Sequence, residues 1–204
     1  MIFSKIMDLF EWVMYFAFLN LLFIAGIIVG GVVLGFFPAC FATIITAKRL
    51  VNEPGFHVGK MFIDTYKANF WKSQRVGYFF FFINLVAASN VMFWRQLDSI
   101  FSLVWLIIFV FIMLGSSLLF SMTIENAYTF KQLGKLFFYS LGQLHLYIAL
   151  LLGLLVIYLA TLMMPGVFIF FVGSLTLTWV MFISHLFIKK IEKVSEKFKN
   201  TTHE

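Results

Sequence analysis

The chain has 204 residues, is 62% hydrophobic and 12% charged, and has a mean hydropathy of +0.99. Soluble domains carry roughly a quarter of their residues as charges, so this composition excludes an ordinary globular protein. A formal net charge of +6 on so apolar a chain points to anionic lipid headgroups, not to nucleic acid.

Crossing a hydrocarbon core of ~30 Å takes about 20 apolar helical residues. Five stretches meet that length, at about 12–37, 76–94, 100–123, 143–163 and 166–188. The alternating pattern of a membrane barrel is absent, so the expected fold is all-α, a single integral membrane domain over 1–204. The apolar run after the first residues is too long for a secretory signal, so the first span is expected to be retained.

The first span carries Gly26-x-x-x-Gly30 and Gly31-x-x-x-Gly35. Little hydrophobic force acts between helices in lipid, so small residues that let backbones approach are the expected packing sites. Asn20 is its only strongly polar side chain. Pro38 is expected to kink or break the helix at the end of the Gly35–Pro38 run, because it removes a backbone donor and crowds the carbonyl four residues back. A short second helix over 38–51 then follows to Lys48 and Arg49, and Pro54-Gly55 stops it.

Residues 56–75 read as an amphipathic cytoplasmic helix. Phe62, Ile63, Tyr66 and Phe70 share one arc, Lys60, Asp64 and Lys67 the opposite one, and Trp71 falls at the interface. This segment is expected to lie along the inner leaflet and to serve as a docking platform. A weaker counterpart spans 128–142, with Lys131 and Lys135 on one face. Gly59-Lys60-Met61-Phe62 and Gly134-Lys135-Leu136-Phe137 hint at an internal duplication. Arg95 and Asp98 form a turn, Pro165-Gly166 makes the last hairpin, and residues 189–204 are a basic tail.

Cations set the direction of insertion. With five spans, all Lys and Arg except Lys5 and Arg95 fall on one face. That face is expected to be cytoplasmic, with the N-terminus outside and the C-terminus inside.

Asn20, Asn84 and Asn90 are candidates for lining a polar cavity, although interhelical hydrogen bonding is the commoner use of such residues. His145 and His185 near span ends read as headgroup-level residues, and Glu125 as a cap or a partner for Arg75 or Lys131. No charge lies deep in a span, which disfavours ion-coupled transport. The chain has one cysteine, Cys40, no zinc-ligand spacing and no catalytic motif, so no enzyme activity, cofactor or metal is expected.

Leu19-Asn20-Leu21-Leu22-Phe23, Phe37-Pro38-Ala39 with Ala42 and Lys48-Arg49, and Phe62-x-x-x-Tyr66-Lys67-x-Asn69-Phe70-Trp71-Lys72-Ser73 resemble the YesL-like family of small bacterial membrane proteins of unknown function. The resemblance covers about residues 15–75. It implies a multi-pass protein of the bacterial cytoplasmic membrane, and company with carbohydrate ABC importers or polysaccharide utilisation. It supplies no catalytic or binding residue. A non-enzymatic accessory protein is the expected function, with importer subunits and membrane lipids as partners; the alternative is an uncoupled transporter or channel for a solute or lipid.

Overall fold

A computed structural model describes residues 2–52, 57–96, 100–125 and 130–201, and these form seven helices with no strand among the described residues. They are α1 (Ile2–Val29), α2 (Val33–Asn52), α3 (Val58–Gln96), α4 (Phe101–Glu125), α5 (Phe130–Leu141), α6 (Leu144–Met163) and α7 (Pro165–Thr201). Six helices are long and apolar enough to cross a membrane. The addition to the five expected from sequence is α2.

The chain turns at Gly30–Val32, not at Gly35–Pro38. Val32 N–H donates to Ile27 O (2.8 Å) and Gly31 N–H to Ile28 O (3.0 Å), the paired bonds of a Schellman cap, with Gly31 at φ +75°. Val32 also has positive φ (+59°), and Val33 N–H bonds back to Gly31 O at 2.7 Å. This is the rarer, strained hand of the γ-turn, here on a β-branched residue. The turn reverses the chain, and α2 packs back along α1.

Pro38 lies inside α2 and does not end it. Its ring leaves the Leu34 carbonyl without the usual i→i−4 donor. The Gln74 Nε2 of α3 donates to that carbonyl instead. The substitution of a side-chain donor for a backbone one is why the helix runs through the proline.

The chain divides into two units, Met1–Gly77 with Leu152–Trp179, and Tyr78–Leu151 with Val180–Glu204. In the first unit α2 is buried almost all round, from Gly35 through Ala39, Ala42 and Ala47 to Leu50. A helix without a polar face belongs in an interior. Its three alanines let α1 approach closely, and Leu19, Val58 and Phe62 complete that core. In the second unit α4 buries Leu114, Leu118, Leu119 and Met122. The short α5 is amphipathic, with Leu133 and Ser140 buried while Lys135 and Phe138 are exposed.

The predicted segment at 56–75 is helical from Val58, and α3 continues without a break through Arg75 to Gln96. A helix of 39 residues is about 58 Å long, well beyond a hydrocarbon core. The Phe62–Tyr66 stripe packs against α1 and α2, whereas an in-plane helix presents that stripe to lipid. The last hairpin is as expected: α6 ends at Met163, and α7 opens at Pro165, where a missing N–H costs nothing.

Candidate functional site

The polar side chains of the apolar segments are the candidates for function, and several of them join one helix to another. In the first unit Asn20 is 1% exposed. Its Nδ2 donates to Ile169 O (2.6 Å) and its Oδ1 accepts from Ser174 N–H (2.8 Å). One amide therefore caps both a carbonyl and an N–H of α7. Ser174 Oγ returns a bond to Phe16 O at 3.0 Å. The approach depends on Gly173, where a Cβ would lie 2.5 Å from the Phe23 ring and 2.7 Å from Asn20 Oδ1.

A second clamp joins α3 to α1. Tyr66 O–H donates to Gly26 O at 3.0 Å, and a Cβ on Gly30 would meet Tyr66 Oη at 2.4 Å and Gly35 Cα at 2.3 Å. A Cβ on Gly35 would meet Ile27 O at 2.4 Å. Gly30 and Gly35 thus stand at close backbone contacts, while a Cβ on Gly26 would meet the side chains of Ala39, Phe62 and Tyr66 at 3.3 Å. Gly31 is different: nothing lies within 4 Å of its Cβ position, and its place follows from its positive φ. Gly77 accepts the Phe37 ring, and Gly153 the Trp179 indole, in the same way.

In the second unit Asn84 Nδ2 bonds Ser116 Oγ (2.8 Å) and the Phe80 carbonyl of its own helix. Ser121 and Ser184 share a buried bond of 2.9 Å, and Ser140 bonds the Tyr147 hydroxyl at 2.7 Å. Asn90 bonds only back to Val86 O. The three asparagines expected around a cavity are thus divided, Asn20 in one unit and Asn84 with Asn90 in the other.

A cavity of about 290 Å³ lies within the second unit, lined by residues of α3, α4 and α5. Its one side-chain hydroxyl is Ser116, already bonded to Asn84 and to Met113 O. Four buried polar atoms have no partner among the described residues: Thr46 Oγ1, Gln74 Oε1, Asn84 Oδ1 and His185 Nδ1.

At the surface of α3, Lys60, Asp64, Lys67 and Trp71 are exposed, Trp71 by 75%; Phe70 is half-buried and Phe62 buried. Lys190 Nζ donates to Gln143 Oε1 and lies 3.2 Å from His145 Nε2. The side chains of Glu125 and Lys131, and residue Asp98 of the expected turn, lie outside the described residues. No group of three His, Cys, Asp or Glu able to hold a metal occurs among the described residues.

Residues 16–91 match a family model described as a protein of unknown function, DUF624. The match takes in most of α1, all of α2 and α3 to Val91, and so contains the Schellman turn, the Tyr66 clamp and the Pro38–Gln74 pair. No curated protein and no solved structure matches the chain.

Gln74, Gly173 and Ser174 were not singled out by sequence. Each is silent alone, because its partner on another helix lies at least 40 residues away. The only signal was a glutamine on the otherwise apolar arc of α3.

Proposed function

We propose that the chain is a non-enzymatic accessory protein of the bacterial cytoplasmic membrane that acts by binding another membrane complex. The observation that carries this reading is the use of the polar groups. Asn20, Asn84, Ser121 and Ser184 are engaged with neighbouring helices, so they hold the bundle together and leave little to line a solute path. The docking face is the outer side of α3, where Lys60, Lys67 and Trp71 are exposed while Phe62 and Tyr66 hold the helix to α1. An exposed tryptophan is a usual interface anchor, and lysines around it steer which partner docks. Subunits of a carbohydrate ABC importer are the partner, a choice that rests on the YesL-like resemblance.

The test is purification from the native host in mild detergent with identification of what co-elutes. A membrane complex is expected in stoichiometric amount, and Lys60→Glu with Lys67→Glu abolishes its recovery without affecting membrane insertion. Recovery that survives the double reversal contradicts the docking face. The second reading, an uncoupled carrier of an apolar solute or lipid, is favoured by the cavity of the second unit. Passage of such a molecule across vesicles containing the purified protein would establish it.

The orientation we propose places both termini in the cytoplasm. α2 packs back along α1 and is the sixth helix able to cross, so it returns the chain to the side on which it began. In that arrangement Lys5 joins the cations of the 124–142 loop and the C-terminal tail on one face, where five crossings would leave it outside.

A further inference from the structure

We propose that the cavity of the second unit holds a fatty-acyl chain of a membrane phospholipid. The lining is carbon apart from Ser116, whose hydroxyl already serves Asn84 and Met113. A buried water needs two to four polar partners, so the space offers water nothing and favours an apolar occupant. About 290 Å³ is roughly twice the 150 Å³ of an engineered apolar cavity that stays dry and binds benzene. The rim includes Phe79 and Ile83, each 38% exposed, and Gly134. In a chain that lies in a membrane, such an apolar mouth faces hydrocarbon, and lipid chains are the apolar molecules at hand.

Gly134 gives the site its width, because nothing lies within 4 Å of its Cβ position. The inference rests on the membrane character of the chain and not on any protein partner, so failed co-purification leaves it standing.

The test uses the full chain in vesicles of phosphatidylcholine and phosphatidylglycerol, with a trace of phosphatidylglycerol carrying a photoactivatable group in its acyl chain. Adducts mapped by mass spectrometry are expected at Phe79, Ile83, Leu133 and Phe137, about tenfold above those at Val86, an exposed apolar residue of the same unit. Gly134→Phe places a ring in the cavity and lowers the cavity adducts about tenfold while leaving Val86 labelling unchanged. Should that variant fail to fold, Ile83→Trp narrows the same mouth from α3 and carries the same expectation. Cavity labelling no higher than at Val86, or unchanged by the filling variant, overturns the site.

Discussion

Asn20 makes two hydrogen bonds to α7 and is almost wholly buried, so Asn20→Leu keeps the branched outline of the side chain and removes both. Interhelical bonds in membranes average ~0.6 kcal/mol and reach ~1.7, so the pair predicts a loss of about 1–2 kcal/mol in detergent unfolding. Asn90→Leu, which removes only a bond within its own helix, is expected to change stability by less than ~0.5 kcal/mol. Equal effects would mean that the Asn20 clamp contributes nothing specific. Val32 stores strain at φ +59°, and its side chain is 61% exposed, so Val32→Gly relieves the backbone and removes little packing. Positive φ on a non-glycine residue costs ~1–3 kcal/mol, from which glycine's own entropy subtracts up to ~1. Unfolding of Val32→Gly in the same detergent should therefore show a gain of about 1 kcal/mol; a loss would show that Val32 packs favourably. Sequence pointed to Asn20 by its isolation in an apolar run. It did not indicate Ser174 as the partner, because helix periodicity fixes faces and says nothing about which faces meet across 154 positions.

Pro38 and Gln74 form a unit at the scale of the element. The proline frees the Leu34 carbonyl and Gln74 satisfies it, so Gln74→Leu leaves a part-buried acceptor unpaired at a cost of about 1 kcal/mol. Pro38→Ala restores an N–H to α2, and in that background Gln74→Leu should cost close to nothing. A double-mutant cycle measures this, and additive costs would show that the two residues act independently. The glycines divide by the same reasoning. Gly35→Ala drives a methyl to 2.4 Å from the Ile27 carbonyl, whereas Gly134→Ala meets open space. The first is expected to lose about 1–3 kcal/mol or more by overpacking, and the second to lose nothing or gain from helix propensity. Thermal unfolding of the two variants side by side decides between this and glycines that merely face lipid. The apolar spans and the last hairpin were legible because length, hydropathy and Pro165-Gly166 are local signals. The break at Gly30–Val32 was misplaced to Pro38 because the proline's defect is repaired from another helix, while Gly31 supplies the left-handed conformation that a reversal needs. The amphipathic stripe on α3 was legible too, but a stripe reads the same whether lipid or protein covers it, and here Phe62 and Tyr66 meet protein.

For the whole molecule, the number of crossings follows from whether α2 returns the chain across the membrane. α2 is the least apolar of the six candidate helices and the most buried within the protein, as suits a crossing surrounded by other helices. Its Lys48 and Arg49 lie near its end, where long basic side chains reach headgroups while their stems stay in hydrocarbon. The sequence expectation of five crossings ended the first span at Phe37 and read 38–51 as a short helix leading into the cytoplasmic loop. In the six-crossing orientation proposed above, the N-terminus lies on the same side as the C-terminus. Single cysteines placed in a Cys40→Ser background and exposed to a membrane-impermeant thiol reagent from outside read this directly. A cysteine at Gln96 is expected to label, and cysteines at Lys5, Gln132 and Asn200 to label only after the membrane is permeabilised. Labelling of the Lys5 cysteine in intact cells would contradict the six-crossing arrangement and restore five, with the N-terminus outside.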